Sequence, residues 1–152
     1  MSKIMRKHTA SKYVSDAGQS ALRSVRPAAR RERVDVMFRA FSDRTRLRIL
    51  QLLRHGELCV GDLVQILRVP QPTASRHLSY LRRAGLVVTR RHGLWMFYAL
   101  APARNAFHRK LLDCLAACSQ DVPEIAADAA RARKLRKSGG CCPDTIPAGG
   151  TQ

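Results

Sequence analysis

The chain has 152 residues, 45% of them apolar, which suffices for one domain of ordinary size with tails. Its 28 Lys and Arg against 11 Asp and Glu leave a formal charge of +17, which repels itself unless the partner is a polyanion, so nucleic acid comes first. No apolar run approaches the ~20 residues of a spanning helix, so a soluble, cytoplasmic protein with no membrane partner is expected.

Residues 1–33 are basic, poor in acid and contain Ser2, Ser11, Ser15 and Ser20, a composition shared with organelle transit peptides. They lack an apolar core for secretion and are read as a disordered arm that touches phosphates, although a start codon set too early explains them equally well.

The globular domain is expected over 34–120. Val34, Met37, Phe38 and Phe41 recur at helical spacing and open a first helix. Ser42-Asp43 offers a capping side chain for a second, with Leu47, Ile49, Leu50 and Leu53 as its stripe and His55-Gly56 as its end. A polar step, Glu57 to Asp62, leads into a third helix marked by Leu63, Ile66 and Leu67. Pro70 interrupts it, and Pro72 sits where a new first turn tolerates proline. A fourth helix then runs from Gln71 to Arg83, burying Ala74, Leu78 and Leu81, and Gly85 stops it.

The period then changes to two. Leu86 to Arg91 and Leu94 to Leu100 read as strands joined at His92-Gly93. Beyond Pro102, Phe107, Leu111, Leu112 and Leu115 share one face of a long helix, which a second copy would cover in a dimer. The segment 121–152 holds an Ala-rich basic stretch, Glu124 to Lys137, with little apolar surface. A Gly- and Pro-rich tail follows.

Two helices on a short turn followed by a basic hairpin predict a mainly α fold with a β-hairpin, the winged helix-turn-helix, whose second helix enters the major groove of double-stranded DNA. Gln71, Thr73, Ser75 and Arg76 lie outward near the start of that helix, where Gln reads adenine and Arg reads guanine by paired hydrogen bonds. His77 belongs to the same stretch, read as a packed residue rather than a metal ligand. Arg90, Arg91 and His92 extend the contact from the wing tip. No Ser, His and acid arrangement and no phosphate-cradling glycine loop is present, so an enzyme is not expected.

The stretch Phe41 to Leu100 resembles the ArsR/SmtB family of metalloregulatory repressors, most closely its arsenical resistance branch. The residues that carry the resemblance are Ser42 to Leu50, Glu57 to Leu63, Gln71 to Leu78 and Leu81 to Val87. It implies a homodimer on a palindromic operator, released when an inducer binds.

Five cysteines stand at 59, 114, 118, 141 and 142, and without an export signal they are expected as thiols. The family's familiar arsenic site is Cys-Val-Cys-Asp-Leu, and here Gly61 replaces the second thiol, so Cys59 alone cannot form it. Similar proteins carry an adjacent cysteine pair near the C-terminus, which Cys141-Cys142 resembles. Adjacent Cα atoms lie about 3.8 Å apart, below the roughly 4.4 to 6.8 Å of unstrained disulfides, so such a pair shares a third atom more easily than it bonds to itself. Soft thiolates select soft ions, and no clustered His and carboxylate set favours zinc, nickel or cobalt. Cys59, Cys141 and Cys142 are the candidate ligands of trivalent arsenic or antimony entering as arsenite or antimonite, while the pair alone could instead bind methylarsenite, which needs fewer sulfurs; no organic cofactor is expected. A redox-responsive thiol repressor and a DNA-binding regulator without inducer remain alternatives. Cys114 and Cys118 share a helix face, as interface packing or as a second thiol site, and His108 and Asp113 are read as surface residues.

Overall fold

The computed structural model describes residues 27–140, with side chains from 34 onward. Helix α1 spans Pro27–Phe41 and so begins before the Val34 that opens the apolar spacing. Proline suits a first turn and Ala28, Ala29, Arg30 and Arg31 are good helix formers, but helix propensity leaves no periodic stripe to read.

Helix α2, Arg44–Leu53, starts where Asp43 accepts the Arg46 N–H at 2.9 Å, and the turn after its Arg54 cap passes through Gly56, whose φ of +127° suits glycine. A strand β1, Leu58–Cys59, replaces the expected polar step and leads directly into α3, Val60–Leu67. Two residues have no period to recognise. The strand exists because β3, far along the chain, supplies a hydrogen-bonding edge, with Leu58 opposite Tyr98 and Cys59 opposite Phe97.

Helix α3 ends on Arg68 in the left-handed region, φ 56° and ψ 45°. Pro70 then caps α4, Gln71–Arg83, and Pro72 occupies its first turn. Gly85, at φ +73°, turns the chain into β2, Val87–His92, which pairs antiparallel with β3, Trp95–Leu100. His92 pairs with Trp95, so the hairpin turns at Gly93-Leu94 rather than at His92-Gly93, with Gly93 supplying a φ of +57°. The sheet order is β1-β3-β2.

Asn105 caps α5, Ala106–Cys118, and α6 covers Pro123–Lys137. The core unites Met37 and Ala40 of α1, Ile49, Leu50 and Leu53 of α2, Leu63 and Ile66 of α3, Leu78 and Leu81 of α4, Leu86, and Leu111 and Leu115 of α5. Helix α6 joins this core through Ala132 and Leu135, and its Ile125 is also buried. Its central residue is Asp128, whose side chain is 1% exposed and takes Arg48 Nε at 2.6 Å and Nη2 at 2.8 Å. Arg131 also bonds Asp128 and donates to the Ile66 carbonyl, while Arg48 donates to the Leu67 carbonyl at 3.1 Å. This bidentate pair raises the Arg48 pKa further above its ordinary value, against the effect of burial. The segment expected to have little to bury thus docks on α2 and α3 through a buried ion cluster. Among the described residues no helix is long and apolar enough to cross a membrane.

Candidate nucleic-acid interface

Helix α4 turns Ala74, Leu78 and Leu81 inward at zero exposure, which fixes its opposite side. Gln71 and Arg76 are exposed, and Thr73 and Ser75 are half-buried at its start. His77 is half-buried with Nδ1 3.5 Å from Asp43 Oδ1. Burial lowers its pKa, partly opposed by the Asp43 carboxylate. Asp43 therefore caps α2 and faces α4 at once. Arg46 braces the same junction: its guanidinium lies 4.4 Å from the centre of the Tyr80 ring and donates to the Ala40 carbonyl at 3.0 Å.

In the wing, Arg91 and His92 are exposed. Arg91 Nε donates to the Gly93 carbonyl at 3.1 Å. Arg90 is engaged within the molecule, ion-paired with Glu57 and lying 5.0 Å from the centre of the Phe97 ring. Its pKa is raised by the bond to Glu57. Leu94, 92% exposed, forms the tip beside Trp95.

Cys59 lies where these parts meet. It is 1% exposed, pairs with Phe97 of the wing strand, and caps α3 by accepting the Asp62 N–H on Sγ at 3.4 Å. Asp62, itself buried, adds negative charge at the helix N-terminus, where it is favourable. Gly140, the last described residue, lines one small cleft with Leu58 and Asp62, the neighbours of Cys59. Cys141 and Cys142 lie outside the described residues. Among the described residues no group of three or more His, Cys, Asp or Glu is arranged to hold a metal ion.

Residues 43–89, from the α2 cap into β2, match the model of the arsR family of bacterial regulatory proteins. An uncharacterised HTH-type transcriptional regulator of Methanocaldococcus jannaschii is 43% identical over 83 residues, covering 54% of this chain and 93% of that protein. This chain belongs to the arsR family. The arsenical resistance operon repressor of Escherichia coli K12 is 42% identical over 97 residues, 62% of this chain and 83% of its own length. The solution structure of the homodimeric winged helix-turn-helix domain of a possible ArsR-family regulator from Mycobacterium bovis is 30% identical and gives a TM-score of 0.54, covering 68% of this chain and 91% of that one.

As an arsR-family member the chain is a DNA-binding transcriptional regulator with a winged helix-turn-helix. The structure brings Gln71, Thr73, Ser75, Arg76 and His77 onto one helix and sets Arg90, Arg91 and His92 on the wing. One reading needs correction: His108 is fully buried rather than superficial, whereas Asp113 is exposed. The Asn105 cap binds the His108 N–H at 2.8 Å and turns the imidazole inward, where Nδ1 meets the Arg104 N–H at 3.4 Å and Nε2 has no partner. Cys114 is exposed, Cys118 is half-buried, and neither forms a disulfide. Sequence reasoning missed Glu57, Arg46 and the second role of Asp43. Each acts through a contact distant in sequence; only the position of Asp43 as a cap carried a local signal.

Proposed function

We propose that this arsR-family chain is a repressor that holds a palindromic operator as a homodimer, with α4 in the major groove. It releases the DNA when Cys59, Cys141 and Cys142 bind one trivalent arsenic or antimony ion. The observation that carries the reading is the cleft shared by Gly140, Leu58 and Asp62. Cys141 follows Gly140 by a single peptide, about 3.8 Å between Cα atoms, which supports the joint capture of an ion by Cys59 and the adjacent thiols. The similarity to an arsenical resistance operon repressor supports the same chemistry.

With arsenous acid, three As–S bonds replace three As–O bonds, and each thiol proton leaves with a hydroxyl as water. Three sulfurs complete the pyramidal ion, which suits soft donors. Capture ties Cys59 to the chain beyond α6, and α6 is anchored on α2 and α3 by Asp128. Strain at Cys59 then passes to the first turn of α3 through its capping bond and to the wing through β1 and the Glu57 pair. Both DNA-facing parts shift relative to one another.

The homodimer is supported by the M. bovis neighbour and by an uncovered face on α1 and α5. There Phe38 is 54% exposed, with its ring 5.4 Å from that of Phe107, and Cys114 is open nearby on α5.

Operator binding by the reduced protein, followed by fluorescence anisotropy, tests the whole reading. Arsenite or antimonite should release the native protein, and Cys141→Ser with Cys142→Ser should abolish that release while DNA affinity stays within twofold. Cys59→Ser gives the same outcome, since a serine hydroxyl still caps α3. Release by peroxide but not by arsenite, or normal release of the double variant, refutes the thiolate site.

A further inference from the structure

A second basic surface lies beside the start of α4, where α6 crosses the end of α3. Gln65, Arg68, Arg131, Lys134 and Ser138 line an open cleft of about 300 Å³ that contains no acidic side chain. Arg131 shares the Asp128 carboxylate with Arg48. Arg68 and Lys134 form no ion pair among the described residues, and both are exposed. Arg68 occupies the turn immediately before Pro70 and Gln71, so this uncompensated charge sits next to the helix end that faces the bases. Helix α6 is also polarised along its length. Glu124 and Asp128 face Arg44 and Arg48 at its start, whereas Arg133, Lys134, Arg136 and Lys137 crowd its end.

We infer that the α3–α6 cleft, through Arg68 and Lys134, grips a backbone phosphate of the DNA strand bordering the groove that α4 enters, so that α6 is part of the DNA-binding surface. The occupant follows from charge complementarity: two cations with no ion pair among the described residues, in a donor-rich lining, suit a phosphodiester, and the contact fixes register without reading bases. The inference rests on the placement of α4 in the major groove. It also gives the tail a second route to the operator, since a pull on the residues after Gly140 acts on the helix that carries Lys134.

The test is the salt dependence of operator affinity for the full chain. Each phosphate contact contributes about 0.9 to the slope of log affinity against log salt, so Lys134→Ala, losing one contact in each subunit, lowers the slope by about 1.8 per dimer. Arg68→Ala behaves alike, and Lys134→Arg keeps the native slope. Lys110→Ala removes an equal charge from an exposed position on α5 and leaves the slope unchanged. An equal fall in Lys110→Ala, or none in Lys134→Ala while the native protein binds steeply, overturns the inference and spares the reading of α4. Failure of the native protein to bind the operator overturns both. Calorimetric binding of inorganic phosphate that Lys134→Ala loses without a change in slope assigns the cleft to a free anion and also overturns the inference.

Discussion

Helices α4 and α6 are of similar length, 13 and 15 residues, and both rest on α3, yet they are held there by opposite means. The seat of α4 is apolar, made by Ala74, Leu78 and Leu81. The seat of α6 centres on a carboxylate clasped by Arg48 and Arg131, with Ile125 and Ala132 on either side. An apolar seat is forgiving, because water is excluded whatever the detail. A buried ion cluster is unforgiving, because each partner left alone keeps its desolvation cost. The helix proposed to enter the DNA groove is thus fixed by bulk burial, and the helix that precedes the thiol tail by a few directed bonds.

The largest effect expected from this contrast is at Asp128. Asp128→Ala strands Arg48 and Arg131 and should cost about 3 to 5 kcal/mol in urea unfolding, whereas Arg48→Met and Arg131→Met combined with Asp128→Leu should come close to the native stability. A single-variant loss below about 1 kcal/mol would remove the ion cluster as the anchor. Leu78→Ala should cost about 2 to 5 kcal/mol by the same measurement, through lost burial and the cavity left behind, and here no second substitution on a charged residue restores it.

Smaller effects sharpen the junction between the two seats. Asp43→Ala removes the α2 cap and should lower stability by about 1 kcal/mol. Asp43→Asn retains a capping oxygen and should recover most of it. Equal losses in both variants would shift the effect from the cap to the charge that faces Arg46 and His77.

The smallest effect is a dependence on pH. Burial holds the His108 imidazole below the usual histidine range, aided by the positive charge of Arg104. The unfolded chain therefore takes up the proton at higher pH than the folded one, and stability falls as pH drops through about 6.5. His77 acts in the same direction. His108→Gln should flatten the stability profile between about pH 7 and pH 5; an unchanged profile assigns the dependence elsewhere.

The same contrast explains what could be read in the sequence. Helices α2 to α5 and the hairpin announce themselves by period, cap and turn, signals that are local. Asp43, Gly85 and the stripe through Leu78 do structurally what their spacing implies. The early start of α1, strand β1 and the docking of α6 depend on propensity without period, on a remote strand edge, and on a charge pair 80 residues apart in the chain. The burial of His108 has no local signal, because only the fold shows that the Asn105 cap turns it inward. For the site, the outward face of α4 was legible as the complement of its apolar face. Cys59 is legible in the sequence only as a thiol, and its position as cap, strand partner and neighbour of the cleft at Gly140 belongs to tertiary structure.

Thiol-gated release requires that one ion join Cys59 to the terminal pair. X-ray absorption at the arsenic edge, on reduced protein loaded with one equivalent of arsenite, measures this directly. The prediction is three sulfur neighbours in the native protein and at most two in Cys59→Ser; three sulfurs in Cys59→Ser would contradict it.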